Sequence, residues 1–202
     1  MKISDTLSRL GKQIQFILEV DKLKDVFRQS YILSENRKEN SAEHSWHVAV
    51  MAIVLMEHAE EPLDGILVLK MLVLHDVIEI DAGDSYFFDD HARADQAERE
   101  NKGAQRLFSL LPSDQTDALR KIWNEFEAAV SAEARFAKSM DRLMPLLHNY
   151  HTRGRSWKEH GITSKMVVSR LEKDLIRGPK VFWEYARSLI ADAVRQGYLA
   201  PG

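Results

Sequence analysis

The chain has 202 residues, enough for one domain with a continuous apolar core and cramped for two. Its 28 Lys and Arg stand against 31 Asp and Glu, a net charge of -3, so there is no basic surplus to neutralise a nucleic-acid backbone and no nucleic-acid partner is expected. Cysteine is absent, which excludes a disulfide scaffold and any thiolate metal site, fits a reducing, cytoplasmic setting and leaves only nitrogen and oxygen ligands for a metal.

Apolar residues recur at three- and four-residue spacing almost throughout, strand alternation is absent, and the expected class is all-α. Met1 to Val20 mixes Lys2, Asp5, Arg9, Lys12 and Glu19 into its apolar residues, unlike a signal peptide, and should remain in the mature protein. Within it a helix over about 5–20 places Leu7, Leu10, Ile14, Ile17 and Leu18 on one face, and a short helical turn follows around 21–27. Residues 28–40 read as a loop carrying Arg28, Arg37 and Lys38. Asn40 and Glu43 form a capping-box signature that starts the next helix, expected to run to about Glu60.

Pro62 opens another helix, carried by the apolar run from Ile66 to about Glu79. That run is interrupted by Lys70, His75 and Asp76 and falls short of the roughly 20 residues of a membrane span, so a buried helix is expected and no membrane partner. Residues 81–90 read as loop with Gly83 at its sharp turn. Helices are expected over about 92–111, from Ser113 as cap to about Ala129, and from Ser131 to Tyr150, with Pro145 kinking the last one turn past Asp141. Two more, about 163–176 and 179–196, finish one domain spanning 1–202, with its chemistry expected within about 23–150.

His75-Asp76 stands out at the end of the most apolar helix. Burying an imidazole beside a carboxylate costs several kcal/mol unless the two are paired or hold a cation. A hydrogen-bonded His–Asp pair would satisfy them as well as a metal. His44, in the first turns of a capped helix, and Asp141, at the apolar-flanked centre of FAKSMDRLMPLL, add two more polar groups on helices that must pack inward. Two histidines and two carboxylates form the nitrogen and oxygen set that catalytic divalent metals take.

The order His44, then His75-Asp76, then Asp141 resembles the H…HD…D signature of the HD-domain metal-dependent phosphohydrolases. The flanks ENSAEHSWHVAVMA, LHDVIEIDAGD and AKSMDRLMPLLHN are similar to the branch of the 5′-deoxynucleotidases and their uncharacterised relatives, over about 23–150. The resemblance implies a helical HD bundle binding one divalent ion (Co, Mn, Ni, Mg, Zn or Fe) through His44, His75, Asp76 and Asp141, and hydrolysis of a nucleoside 5′-monophosphate to nucleoside and phosphate. It also raises a homodimer as a family expectation.

Glu79 lies four residues after His75, so both would share a helical face beside the ion's open side, where Glu79 would orient or deprotonate the attacking water. The alternative is an exposed helix-end glutamate. Asp84 matches the second acid of the family's HD-x-x-E-x-x-x-x-D extension and would contact the sugar; Asp81, which does not match, ranks below it. Arg28 corresponds to the family's phosphate-gripping arginine, with Arg37 as the other candidate. Gln29 stands where those enzymes carry a tryptophan that shapes the sugar pocket, which leaves the choice between ribose and deoxyribose open.

Of the other histidines, His47 could flank the site, His58 reads as surface, and His91, His148, His151 and His160 read as surface or supporting groups. With only His91 between the HD pair and Asp141, one metal is expected. Trp123, Trp157, Trp183, Phe126 and Phe182 read as core. Two other functions fit the same pattern: hydrolysis of a nucleoside triphosphate or another small phosphate ester, and a non-catalytic nucleotide-binding protein with a structural metal.

Overall fold

A computed structural model of the protein describes residues 3–88 and 95–202, with side chains from residue 8 onward. Helix α1 (Ile3–Val20) leads through a 3-10 turn (Asp21–Asp25) into strand β1 (Phe27–Tyr31), which pairs antiparallel with β2 (Lys38–Asn40). Then come α2 (Ser41–Leu55), α3 (Gly65–Leu74), the short α4 (Glu79–Ala82), α5 (Gln96–Phe108) and α6 (Ser113–Ala128). The long α7 (Ala132–His151), the short α8 (Arg155–Glu159), α9 (Ser164–Leu175) and α10 (Lys180–Arg195) complete the chain. No helix of the described residues is long and apolar enough to cross a membrane.

Helix α7 is the axis of the bundle. It begins at Ser131, whose hydroxyl accepts from the Ala134 N–H at 3.3 Å, and its assigned span continues unbroken through Pro145. Phe136, Met140, Leu143 and Leu146 on it are buried against α2, α3, α9 and α10, where Val48, Val68, Leu72, Leu175 and Ala186 complete the larger core. Large side chains buried to this degree each stabilise the fold by about 1.5–3 kcal/mol relative to exposure. A smaller core joins Leu23, Val77, Ile78, Leu107, Phe108 and Trp123. His75-Asp76 lies at the seam between the two: Leu72 just before it belongs to the larger core and Val77 just after it to the smaller.

The helical class holds, with one exception inside the presumed loop, the β1–β2 hairpin. Its strands are short, the burial along FRQSY does not alternate regularly, and Glu35 between them takes a positive φ of 59°. None of this gives a period-two signal. Helix α2 carries the full capping box at Asn40 and Glu43 but ends at Leu55 in a 3-10 turn. Helix α3 starts at Asp64, whose carboxylate accepts from the N–H groups of Ile66 and Leu67, rather than at Pro62. Ser113 is the first residue of α6 and makes no side-chain cap; Pro112 holds that position. The start expected at Ala92 lies outside the described residues.

The first helix departs most from expectation. Its intended core face is open, with Ile17 60% and Leu18 67% exposed, and Leu10 and Ile14 nearly half exposed. The helix is held instead by Arg9 forking onto Asp114, Gln13 on Gln115 and Phe16 against Phe108.

Candidate metal centre and catalytic pocket

Regular helix stops at the histidine of the HD pair. The His75 N–H still reaches the Met71 carbonyl at 2.9 Å, but Val77 reaches Leu74 and Glu79 reaches Asp76, so the chain tightens to three-residue turns. Glu79 thus begins α4 rather than continuing the helix of His75, and the shared-face argument from four-residue spacing does not describe this corner. Trp123 of α6 fixes the corner by donating its indole N–H to the His75 carbonyl at 3.3 Å.

The corner, α2 and α7 bring the predicted ligands together. His44 Nε2 lies 3.2 Å from Asp141 Oδ1, and His75 Nε2 lies 3.6 Å from the same oxygen and 3.0 Å from Asp76 Oδ1. All four residues are buried. The far nitrogen of each imidazole is occupied: His75 Nδ1 is 2.8 Å from the Leu72 carbonyl and His44 Nδ1 is 3.2 Å from Glu39 Oε2. With each Nδ1 donating to its acceptor, as in a neutral metal-binding imidazole, both Nε2 atoms would face the carboxylate oxygens with a free lone pair.

Lone pairs and carboxylates meeting in a buried space need a cation between them. His75 Nε2 lies 3.0 Å from Asp76 Oδ1 without the alignment of a hydrogen bond. Burial opposes charge on His75, yet Asp76 and Asp141 raise it to about 10, and the same carboxylates raise His44 against burial and the repulsion of Arg28. A proton would be the smallest cation to answer this field. A divalent ion answers it with both imidazoles neutral, and ligands at about 2.0–2.2 Å from one ion stand close to the separations seen here. The donor set fits a divalent ion of mixed nitrogen and oxygen preference. Against burial, Asp76 is brought down to about 2 by His75 and Arg28, and Asp141 falls well below the usual range through Arg142 and the two histidines.

Arg28 reaches this centre from β1. Its Nη1 is 2.7 Å from Asp76 Oδ2 and 4.0 Å from Glu79 Oε1, and its Nε is 3.7 Å from Glu39 Oε2 without a hydrogen bond. Glu79 accepts from the Ser41 hydroxyl at 2.6 Å; burial, then Asp76, pushes it well above the ordinary carboxylate range. Asp84, just past the sharp turn at Gly83 (φ 72°), is also raised by burial although Arg28 opposes this. Arg37 is turned away, forked onto Glu43, and Lys38 donates to Gln29. Asp81 pairs with Arg106 on α5.

A cavity of about 130 Å³ opens on the centre, bordered by Arg28, Gln29, Asp84, Asp141 and Arg142 on its polar side. Tyr86, Phe87, Phe88 and Trp157 supply rings. Trp157 is thus both core, as expected, and cavity wall; Trp123, Trp183, Phe126 and Phe182 are buried. Arg142 donates to Asp141 Oδ2 at 2.9 Å and to Asp174 at 2.8 Å, and its guanidinium stacks 4.5 Å from the Phe87 ring.

Sequence reasoning missed Glu39, Ser41 and Arg142. Arg142 follows a proposed ligand directly and was the one within reach; Glu39 lay in a stretch that read as solvated. His148 is buried 3.6 Å from Glu39, while His58, His151 and His160 are exposed and His91 lies outside the described residues.

A family model described as HD domain matches residues 20–183. The chain is 32% identical over 145 residues to the 5′-deoxynucleotidase HDDC2 of Bos taurus, covering 70% of this chain and 69% of that protein. It is 30% identical over 135 residues to the Homo sapiens protein of the same name, covering 66% and 65%. Among solved structures, a predicted metal-dependent phosphohydrolase from Magnetospirillum magnetotacticum superposes with a TM-score of 0.91 at 49% identity, over 96% of this chain and 97% of that one. A conserved hypothetical protein from Pyrococcus furiosus shares the fold, with a TM-score of 0.61 at 22% identity over 90% and 99% of the two chains.

Proposed function

Because the chain belongs to the HD-domain family of phosphohydrolases, we propose that it hydrolyses nucleoside 5′-monophosphates to nucleoside and phosphate, using one divalent ion held by His44, His75, Asp76 and Asp141. The observation that carries the reading is the pair of buried Nε2 atoms converging with two carboxylates beside a cavity lined by guanidinium groups and aromatic rings. The HDDC2 relatives named for 5′-deoxynucleotidase activity support the nucleotide assignment.

An ion in this set supplies Lewis acidity, acidifying water and neutralising phosphoryl charge. The protein's own groups supply the rest. Arg28, on the cavity wall, presents a planar fork to phosphate oxygens, and Arg142 offers a second cation from the far side of Asp141. Glu79, held by Ser41, accepts the proton of the attacking water as the bond to phosphorus forms. The bond from phosphorus to the 5′ oxygen breaks, and the departing nucleoside oxygen takes a proton from solvent. Asp84 accepts from a sugar hydroxyl, and the rings pack against the base. Gln29 borders the cavity, so the sugar meets an amide there.

Among the described residues, Arg37 is engaged by Glu43 and Lys38 by Gln29, so neither is free to clamp a polyphosphate chain, which favours a monophosphate. The Irving–Williams order does not select the native ion from Co, Mn, Ni, Mg, Zn or Fe. The test is phosphate release from ribo- and deoxyribonucleoside mono-, di- and triphosphates with each metal supplied in turn. Monophosphates should be the preferred class; preference for triphosphates would overturn the assignment, and inactivity on every phosphate ester would favour a nucleotide-binding protein.

A further inference from the structure

We infer that His47, His148 and Glu39 form a second, non-catalytic site for a divalent transition-metal ion. The α2–α7 junction repeats its ligand pattern along its length. His44 and His47 are one turn apart on α2, and Asp141 and His148 two turns apart on α7, so each helix presents two ligating side chains on one face. His44 meets Asp141 at 3.2 Å, and the His47 and His148 rings meet with centroids 5.8 Å apart.

Glu39 stands between the two pairs. Its Oε2 is 3.2 Å from His44 Nδ1 and 3.6 Å from His148 Nδ1, too far from the second for a hydrogen bond. His148 is only 3% exposed, and its Nδ1 has no hydrogen-bond partner. An orphaned buried imidazole nitrogen aimed at a buried carboxylate is costly unless something lies between them. One ligand atom from each of Glu39, His47 and His148 falls within 4.8 Å of the others, and a small inward movement would bring them onto one ion. His47 and His148 also line a groove of about 600 Å³ that shares no lining residue with the Arg28 cavity, so this ion has its own approach.

Two imidazoles and one carboxylate suit Zn²⁺, Ni²⁺ or Co²⁺ better than Mg²⁺. Bound there, the ion would cross-link β2, α2 and α7 and hold the carboxylate that orients His44. His91 is the only histidine between the HD pair and Asp141, and the expectation of a single ion rests on it; His148 lies beyond Asp141, two turns along the same face of α7.

The experiment is equilibrium dialysis of metal-stripped protein against micromolar Co²⁺, with bound metal counted by mass spectrometry. Wild type should hold two ions per chain, Asp76→Ala one, His47→Ala one, and the double variant none. His148→Gln, which keeps a polar side chain of similar reach, should match His47→Ala. One ion in wild type, or two retained in both His47→Ala and His148→Gln, would overturn the second site. Neither result would touch the hydrolase reading, which stands or falls with the ion lost in Asp76→Ala and with phosphate release.

Discussion

Glu79→Gln keeps the side chain's shape and its contact with Ser41 while removing its capacity to ionise. In the metal-free protein the carboxyl sits well above its ordinary value of 4.5, through burial and then the charge of Asp76. A carboxyl raised on folding costs stability above its unfolded pKa and costs nothing below it, where both states are protonated. Each unit of displacement amounts to about 1.4 kcal/mol, and in a chain of this length 1 kcal/mol moves Tm by roughly 2–4 °C. Metal-free Glu79→Gln should therefore melt above wild type at neutral pH, with the advantage fading as the pH falls to about 4. At equal metal occupancy it should release phosphate about 10²- to 10⁴-fold more slowly, the usual contribution of a positioned base. Calorimetry and phosphate release on the same preparations read both effects. Unchanged turnover would remove Glu79 from the chemistry, and a Tm that falls together with the rate would make it a structural residue.

Other substitutions probe the centre from different sides. His75→Ala and Asp76→Ala should each lose the catalytic ion, because removal of one ligand leaves its buried neighbours uncompensated; metal analysis showing that ion retained would contradict the ligand assignment. Arg28→Ala should raise KM for a monophosphate by about 10- to 100-fold, the worth of a charge-assisted hydrogen bond of about 1.5–3 kcal/mol; unchanged kinetics would transfer the phosphate to Arg142. Gly103 of α5 packs on the turn before Glu79, where an added Cβ would stand 2.9 Å from the Ile78 carbonyl. Gly103→Ala should lower stability by about 1–3 kcal/mol through overpacking, and a denaturant midpoint equal to wild type would show that the two elements separate freely.

The residues legible from sequence were those whose chemistry conflicts with their surroundings. His75, Asp76 and Asp141 are polar groups inside apolar helical runs, and His44 follows an explicit capping box, so burial could be read from periodicity and a partner inferred from its cost. Glu39 carried no such signal. It sits among Glu35, Arg37 and Lys38, and its burial arises only when the hairpin folds against α2 and α7. Helix α1 shows the reverse: its periodicity is strong, but the apolar face it marks remains open in this chain. The turn after His75 looks like continuing helix in the sequence because nothing local breaks it; the tightening accompanies the placement of Leu72 and Val77 in two different cores.

The central claim is that His44, His75, Asp76 and Asp141 hold an ion without which the phosphoester is not cleaved. Phosphate release from a nucleoside 5′-monophosphate, measured on chelator-stripped protein before and after readdition of Co²⁺ or Mn²⁺, tests it directly. The account predicts negligible release from stripped protein, recovery on readdition, and no recovery in Asp141→Asn. Full activity in the stripped protein, or equal recovery in Asp141→Asn, would contradict it.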